Sequence, residues 1–167
     1  MVLSMDFRLA SEEDLDSIVK VFLACWKESY SEILSADVRD SMNTDEAKAL
    51  WSKSFSDTSL KTYLLFDSAI PVAVFRYGAS REDENASHLF SLYVDPQFSG
   101  RGIGKLIMEK VLAMAKSDSF NKVTLWVFEK NRPARSLYEK FGFIPTGRNR
   151  ITPAWGEVEV ELAASLI

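Results

Sequence analysis

The chain has 167 residues, of which 47% are hydrophobic and 26% charged, and its 20 Lys+Arg against 24 Asp+Glu give a formal net charge of −4. These values exclude disordered and collagen-like chains and, since no block of basic residues is present, a general nucleic-acid-binding protein. The single cysteine, Cys25, excludes an internal disulfide and a cysteine-based zinc finger, and it is typical of a reducing compartment.

Hydrophobic periodicity predicts an alternation of strands and helices along the chain. Because no linker or repeat interrupts the sequence, residues 1–167 are expected to form one domain. Ser11 with Asp14 resembles a capping box at the start of the first predicted helix. In the second predicted helix, Ala47, Leu50 and Trp51 are expected to face the core. The predicted elements are a strand over 5–9, a helix from Ser11 to Tyr30, a helix opened by Thr44, an antiparallel hairpin of 63–66 and 71–77, a strand over 88–94, a helix over 102–116, a strand over 123–128, a helix over 133–141, and a strand in the tail over 157–162.

The order of strand 88–94, helix 102–116 and strand 123–128 is that of a βαβ unit. Its two strands are therefore expected to be parallel neighbours with a right-handed crossover. With the hairpin, this predicts an α+β fold around a mixed sheet. The tail alternates glutamate with apolar residues, which predicts a half-buried strand. As an exposed end strand it could pair across a homodimer, or its glutamates could keep the edge solvated.

A turn with three alternating glycines, Gly100, Gly102 and Gly104, joins strand 88–94 to the following helix. Glycine permits positive φ, and the first amides of a helix lack internal partners, so the turn suits a phosphate or diphosphate. The spacing fits neither the dinucleotide-binding fingerprint nor the ATP-type loop. On these residues alone, a purely structural tight turn is the alternative.

The pattern Gln-x-x-Gly-x-Gly at Gln97, Gly100 and Gly102 resembles the acetyl-CoA loop of the GCN5-related N-acetyltransferase (GNAT) superfamily. A second segment, 131–143, resembles a later motif of the same family at the expected distance. The matching residues of that second segment are Asn131, Ala134, Leu137, Tyr138, Gly142 and Phe143.

This resemblance implies a GNAT-like fold: a central, mostly antiparallel sheet of about seven strands with a splayed parallel pair, flanked by about four helices. It also implies that acetyl-CoA is the cofactor, with its diphosphate on the glycine turn and its pantetheine arm added like a strand beside residues 92–94. A main-chain N–H there could stabilise the oxyanion formed during transfer. The implied cofactor contacts are Leu92, Tyr93, Val94, Gln97, Phe98, Ser99, Gly100, Arg101, Gly102, Ile103, Gly104, Lys105, Asn131, Ala134 and Tyr138.

The resemblance assigns Tyr138 as the proton donor to the leaving thiolate, a role that the reference pKa of tyrosine, near 10, allows at neutral pH. Core packing is the alternative for Tyr138. His88, the only histidine, stands where some relatives carry a glutamate base, and its reference pKa near 6.5 suits proton uptake. A water chain is the alternative acceptor. Trp26 and Tyr30 are candidates to line the acceptor pocket, although packing also explains Trp26.

The implied reaction is direct transfer of an acetyl group from the thioester to a primary amine of a small molecule or peptide, without a metal. Cys25 lies among apolar helix residues and is expected to be a buried hydrophobe rather than a nucleophile. A cytosolic location is expected, since no apolar run approaches the roughly 20 residues that span a bilayer. The alternatives are a CoA-binding sensor without catalysis and a nucleotide hydrolase at the glycine turn.

Overall fold

The computed structural model describes residues 5–167, which form an α+β fold with seven strands and five α-helices. This confirms the expected fold class, with one helix more than expected. The strands are β1 (Met5–Leu9), β2 (Leu60–Asp67), β3 (Ile70–Ala79), β4 (Ala86–Val94), β5 (Lys122–Phe128), β6 (Ile144–Ile151) and β7 (Val158–Ser165). The helices are α1 (Leu15–Ala24), α2 (Ala36–Ser41), α3 (Thr44–Ser54), α4 (Ile103–Ser117) and α5 (Arg132–Lys140).

The strands are hydrogen-bonded in the order β1-β2-β3-β4-β5-β7-β6. As predicted, β4 and β5 are parallel neighbours, and their ladder joins Ala86–Leu89 to Lys122–Leu125. The ladder ends there although β4 continues to Val94, so the parallel pairing covers only the first part of β4. The other described pairings, β1 with β2 and β7 with both β5 and β6, are antiparallel.

The chain divides into two compact units, each assembled from separate segments. The first contains the residues up to Arg76 together with Ser91–Ile103, and the second contains Tyr77–Phe90 together with Gly104–Ile167. Both β3 and β4 pass from one unit into the other. Neither unit is therefore a continuous stretch of sequence.

In the first unit, the predicted capping interaction opens the first helical segment: the Asp14 carboxylate accepts a hydrogen bond from the Ser11 amide at 3.0 Å. A single 3-10 turn precedes α1, and the helical path continues beyond α1 as a π-helix over Cys25–Ser29. The predicted helix up to Tyr30 is thus three consecutive helical forms. Periodicity could not distinguish them, since all three wind in the same direction with similar spacing.

Helix α3 confirms the second predicted helix, but Leu50 is 41% exposed while Ala47 and Trp51 are buried. The expectation that Leu50 faces the core is wrong, because successive helical residues are about 100° apart and the buried face is centred between positions 47 and 51. Helix α3 begins at Thr44, as expected, and Asn43 caps it: the Asn43 side chain accepts a hydrogen bond from the Glu46 amide at 2.9 Å. Helix α2 was not predicted, since its six residues carry too little periodicity.

In the second unit, β7 is an internal strand rather than the edge that the sequence suggested. It lies between β5 and β6, and Glu159 and Glu161 are buried. Arg150 pairs with Glu159 at 3.2 Å, and Arg148 pairs with Glu161 at 3.2 Å. The expectation that the tail forms the dimerising or solvated edge is therefore wrong. Strand β6 was missed because Pro145 and Gly147 argue against a strand; the structure accommodates them with a register shift between Pro145 and Asn149.

Within residues 5–167, every helix is too short or too polar to cross a bilayer. In the same residues, no three acidic, histidine or cysteine side chains are grouped in a way that would hold a metal ion.

Candidate functional site

The turn between β4 and α4 is anchored at its first residue. Asp95 is buried, its amide donates to the Val72 carbonyl at 2.9 Å, and its carboxylate accepts from the Gln97 amide at 3.0 Å. A 3-10 turn, Pro96–Phe98, follows, and the Ser99 amide and hydroxyl both donate to the Pro96 carbonyl. The chain therefore enters the glycine segment from a fixed point.

Gly100 and Gly102 both have φ of +78°, a conformation that side-chain-bearing residues rarely adopt. A Cβ atom at either position would meet no atom within 4 Å, so the backbone conformation, not crowding, requires glycine. Within residues 5–167, no intramolecular hydrogen bond uses the amides of Gly100, Arg101 or Gly102. The turn thus presents exposed amides at the start of α4, a fit for the diphosphate that the sequence predicts.

Gly104 differs from the other two glycines, since its φ is not positive. A Cβ atom there would lie 2.8 Å from Cδ2 of Leu137, the end of a flexible side chain, so a larger residue requires that side chain on α5 to shift. The cation of Arg101 lies over the Phe98 ring at 5.0 Å, and Lys105 is exposed. Three glycines that look equivalent in the sequence therefore divide into two conformational glycines and one packing glycine.

The end of β4, Leu92–Val94, is half-buried and lies beyond the part of β4 that pairs with β5. The side chain of Tyr93 packs edge-on against Phe22, with ring centroids 4.9 Å apart, and at 6.0 Å against Trp51. The side chain of Tyr93 thus serves packing. A contact of Tyr93 with a cofactor arm would therefore come from its main chain.

Trp26 and Tyr30 are in contact, with ring centroids 5.6 Å apart, and Tyr30 also lies 6.3 Å from Tyr93. Trp26 is only 3% exposed and packs on Phe22, which agrees with the packing alternative for this residue. Tyr30 is half-buried, so it is the more accessible member of this pair. A neighbouring contact that sequence reasoning missed joins β3 to β4 and α3: the Arg76 guanidinium donates to the Ser91 hydroxyl at 2.8 Å and lies 4.8 Å from the Trp51 ring.

Helix α5 places the residues of the second motif. Asn131 caps the helix, and its side chain accepts a hydrogen bond from the Ala134 amide at 3.3 Å. Tyr138 is buried and its ring lies 5.9 Å from that of Phe143. Capping and packing are therefore part of what these motif residues do.

His88 is half-buried on β4, and its Nδ1 lies 2.6 Å from the hydroxyl of Thr124, its register partner on β5. Burial, together with the positive charges of Arg150 and Arg81, lowers the pKa of His88 to about 4, against a smaller opposing effect of Glu82. This departs from the ordinary value on which the sequence argument relied. At neutral pH the imidazole is uncharged and has a low proton affinity.

The remaining candidates behave as packing or surface groups. Burial raises the pKa of the Cys25 thiol to about 11, so the thiol stays protonated and is not a nucleophile. In the polar segment 81–84, Glu82 pairs with Arg148 at 2.6 Å and Asp83 pairs with Lys122 at 2.9 Å. These ion pairs connect the loop between β3 and β4 to β6 and β5.

The model of the Acetyltransferase (GNAT) family matches residues 15–143. YwnH of Bacillus subtilis (strain 168), provisionally named a phosphinothricin acetyltransferase, is 26% identical over 146 residues, which cover 86% of this chain and 86% of that protein. The peptidyl-lysine N-acetyltransferase YjaB of Escherichia coli (strain K12) is 29% identical over 122 residues, covering 64% of this chain and 80% of YjaB.

Among solved structures, the PaiA N-acetyltransferase of Thermoplasma acidophilum, in complex with coenzyme A, aligns with a TM-score of 0.78 and 20% identity. The alignment covers 98% of this chain and 99% of that one. At this level of identity, the likeness concerns the fold.

Proposed function

The chain belongs to the GNAT family of acetyltransferases and is an N-acetyltransferase that uses acetyl-CoA, and from this premise we propose that it acetylates a primary amine by direct attack. Bound acetyl-CoA supplies the activated acyl group as a thioester. The observation that carries the proposal is the turn at Gly100 and Gly102, whose conformation exposes unengaged amides at the start of α4.

We propose that these amides hold the diphosphate, with Arg101 and Lys105 adding positive charge beside it. The main chain of Leu92 and Val94 is proposed to pair with the amide-bearing arm. Ile103 is 2% exposed, so its contribution would come from its main chain. The further proposed contacts are Tyr93, Gln97, Phe98, Ser99, Gly104, Asn131, Ala134 and Tyr138.

Tyr138 is the proposed proton donor to the leaving thiolate. Tyr138 lies on α5, which also contains the proposed contact Ala134 and is capped by the proposed contact Asn131. Its ring is fixed by the contact with Phe143, so the hydroxyl is held by a buried side chain rather than by a mobile surface one. Such positioning is what general acid catalysis requires.

His88 is the proposed proton acceptor, in its neutral form. Because its pKa is about 4, it does not retain a proton at neutral pH, and we propose that it passes the proton on to water. A water chain alone is the competing route. The two routes differ in whether removal of the imidazole slows the reaction.

A cationic amine is the acceptor class that the charge distribution favours. Residues 28–46 contain six exposed carboxylates and one arginine, and a local excess of negative charge concentrates cations nearby, with screening by salt. The names of the relatives cover different acceptors, so similarity does not select one. Lysine side chains and polyamines are the proposed acceptors. The six carboxylates are Glu28, Glu32, Asp37, Asp40, Asp45 and Glu46.

The test combines calorimetry of CoA binding with thiol release from acetyl-CoA against lysine peptides, N-terminal peptides, polyamines, amino acids and aminoglycosides. We expect heat on CoA binding and turnover that is fastest with the cationic amines. Binding without turnover on any amine would replace the enzyme with a CoA sensor. Absence of binding heat would refute the proposed role of the glycine turn.

Three further expectations stay proposals. The interleaved segments of the two units support a single domain over 1–167, which predicts one cooperative unfolding transition. The unpaired thiol of Cys25 supports a cytosolic location. A homodimer would use the exposed Ile144 and Ile151 of β6, which are 67% and 60% exposed, and light scattering of the purified protein tests it.

A further inference from the structure

The pairing of β4 with β5 places His88 directly opposite Thr124, at a hydrogen-bonding distance of 2.6 Å between Nδ1 and Oγ1. We infer that Thr124 is a positioning residue that holds His88 as the Nδ1–H tautomer and so leaves Nε2 bare to accept a proton. The role of Nε2 rests on the proposed function, whereas the tautomer itself does not.

The Thr124 hydroxyl has one hydrogen and two neighbours, Nδ1 of His88 at 2.6 Å and the Ser87 carbonyl at 3.4 Å. The carbonyl can only accept, whereas Nδ1 of a neutral imidazole can donate or accept, so both contacts are hydrogen bonds only when Thr124 donates to Ser87 and Nδ1 donates to Thr124. We assign the hydrogens in this way, which makes the oxygen of Thr124 the acceptor from Nδ1. In a neutral imidazole the other nitrogen, Nε2, is then the acceptor.

The surroundings of Thr124 and His88 keep this arrangement in place. Thr124 is buried and β-branched, so its side chain has few alternative rotamers. The ring of Phe90 contacts the imidazole edge-on at 4.6 Å, which restricts a flip of the ring. Both contacts act on the side chain of His88 from residues fixed in the sheet.

The charged groups around His88 come from two elements. Arg81 and Glu82 belong to the loop between β3 and β4, and Arg150 belongs to β6. Burial is the largest cause of the low pKa of His88; Arg150 and Arg81 also disfavour a charged imidazole, whereas Glu82, which pairs with Arg148 at 2.6 Å, favours it. His88 therefore stays neutral at pH 7, the condition under which a choice between tautomers exists at all.

The chain contains one histidine, so nitrogen NMR of the uniformly labelled full-length protein reports on His88 without assignment. We expect a protonated Nδ1 and an unprotonated Nε2 at pH 7. Thr124→Val removes the hydroxyl at nearly constant shape and should give a tautomer mixture, and Thr124→Ser, which retains a hydroxyl, should restore the wild-type spectrum. A protonated Nε2 in the wild type, or an unchanged spectrum in Thr124→Val, would overturn the inference.

Activity provides the second readout. Thr124→Val should lower kcat by roughly tenfold, the lower end of the roughly 10- to 100-fold cost of removing a group that orients a metal-bound histidine. KM should not change, since Thr124 is buried, and Thr124→Ser should recover most of the rate. If His88→Gln leaves the rate unchanged while the tautomer is as expected, the proton-acceptor role fails but the positioning by Thr124 stands. Thermal unfolding of each variant checks that lost rate is not lost fold.

Discussion

Gly102→Ala is the perturbation that tests the glycine turn most directly. The residue adopts φ of +78° with open space around the missing side chain, so alanine adds no clash and only the left-handed backbone penalty remains. That penalty is about 1–2 kcal/mol for a residue with a Cβ atom. It can appear in either of two measurements, depending on whether the free protein keeps the turn in its native conformation.

If the turn keeps its conformation, the strain lowers the free energy of unfolding, and at about 2–4 °C per kcal/mol for a chain of this size the Tm falls by roughly 2–8 °C. If the turn relaxes in the free protein, stability is preserved and the strain is paid on binding. The affinity for CoA then falls by roughly 5- to 30-fold, since about 1.4 kcal/mol corresponds to a factor of ten. The loss in free energy of unfolding and the loss in free energy of CoA binding should together amount to about 1–2 kcal/mol.

The assay is calorimetric titration with CoA, together with thermal unfolding of the same samples. Gly156→Ala is the matched control, because Gly156 also has positive φ, at +71°, and also has open space where a Cβ would lie, but it is outside the turn. It should reproduce the stability loss without changing CoA affinity. An equal loss of CoA affinity in both variants, or no effect of Gly102→Ala on either quantity, would refute the reasoning.

Tyr138→Phe keeps the ring contact with Phe143 and removes the hydroxyl, so kcat should fall by about 10²–10⁴ with CoA affinity unchanged by calorimetry; an unaltered kcat returns Tyr138 to packing alone. His88 should make stability depend on pH, because its pKa is about 6.5 in the unfolded chain and about 4 in the folded chain. As the pH is lowered from about 6.5 to about 4, the unfolded chain binds the proton first, and the free energy of unfolding falls by up to about 3 kcal/mol; above about pH 6.5 His88 causes no change. His88→Gln should remove that slope in acid titrations followed by denaturant unfolding, and an identical slope in both proteins would contradict the pKa. Asp37→Asn with Asp40→Asn should raise KM for a polyamine more at low salt than at high salt, while Glu109→Gln on α4 should not; salt-independent effects would exclude an electrostatic role.

The sequence predicted the order of the elements well where the period was clear. The βαβ unit and the hairpin were found, because apolar residues recur with a consistent spacing in each. Helix α5, in which Tyr138 is the buried residue, was found from Pro133 in its first turn. Strand β6 and helix α2 were missed for opposite reasons. Strand β6 contains Pro145 and Gly147, which read as breakers, and α2 is too short for a period to repeat.

The candidate site shows a second limit, which is that a sequence does not contain register or burial. Nothing along the chain indicates that Thr124 lies opposite His88, because that contact depends on how two strands 36 residues apart align. The low pKa of His88 follows from burial and from Arg150, and Arg150 is also distant in sequence. The residue type of His88 could be read from the sequence, but its proton affinity could not.

The family motif also combines residues that do different physical work, and the structure separates them. Gly100 and Gly102 supply a backbone conformation, Gly104 supplies close packing against Leu137, and Asn131 caps a helix. Each of these contributions affects the fold as well as the site, so activity alone cannot assign a residue to cofactor binding. Measuring CoA affinity together with the free energy of unfolding separates the two cases. Substitution of Gly100 or Gly102 should lower the total of the binding and unfolding free energies. Substitution of Gly104 or Asn131 should lower mainly the free energy of unfolding, since the contacts of these two residues lie inside the protein.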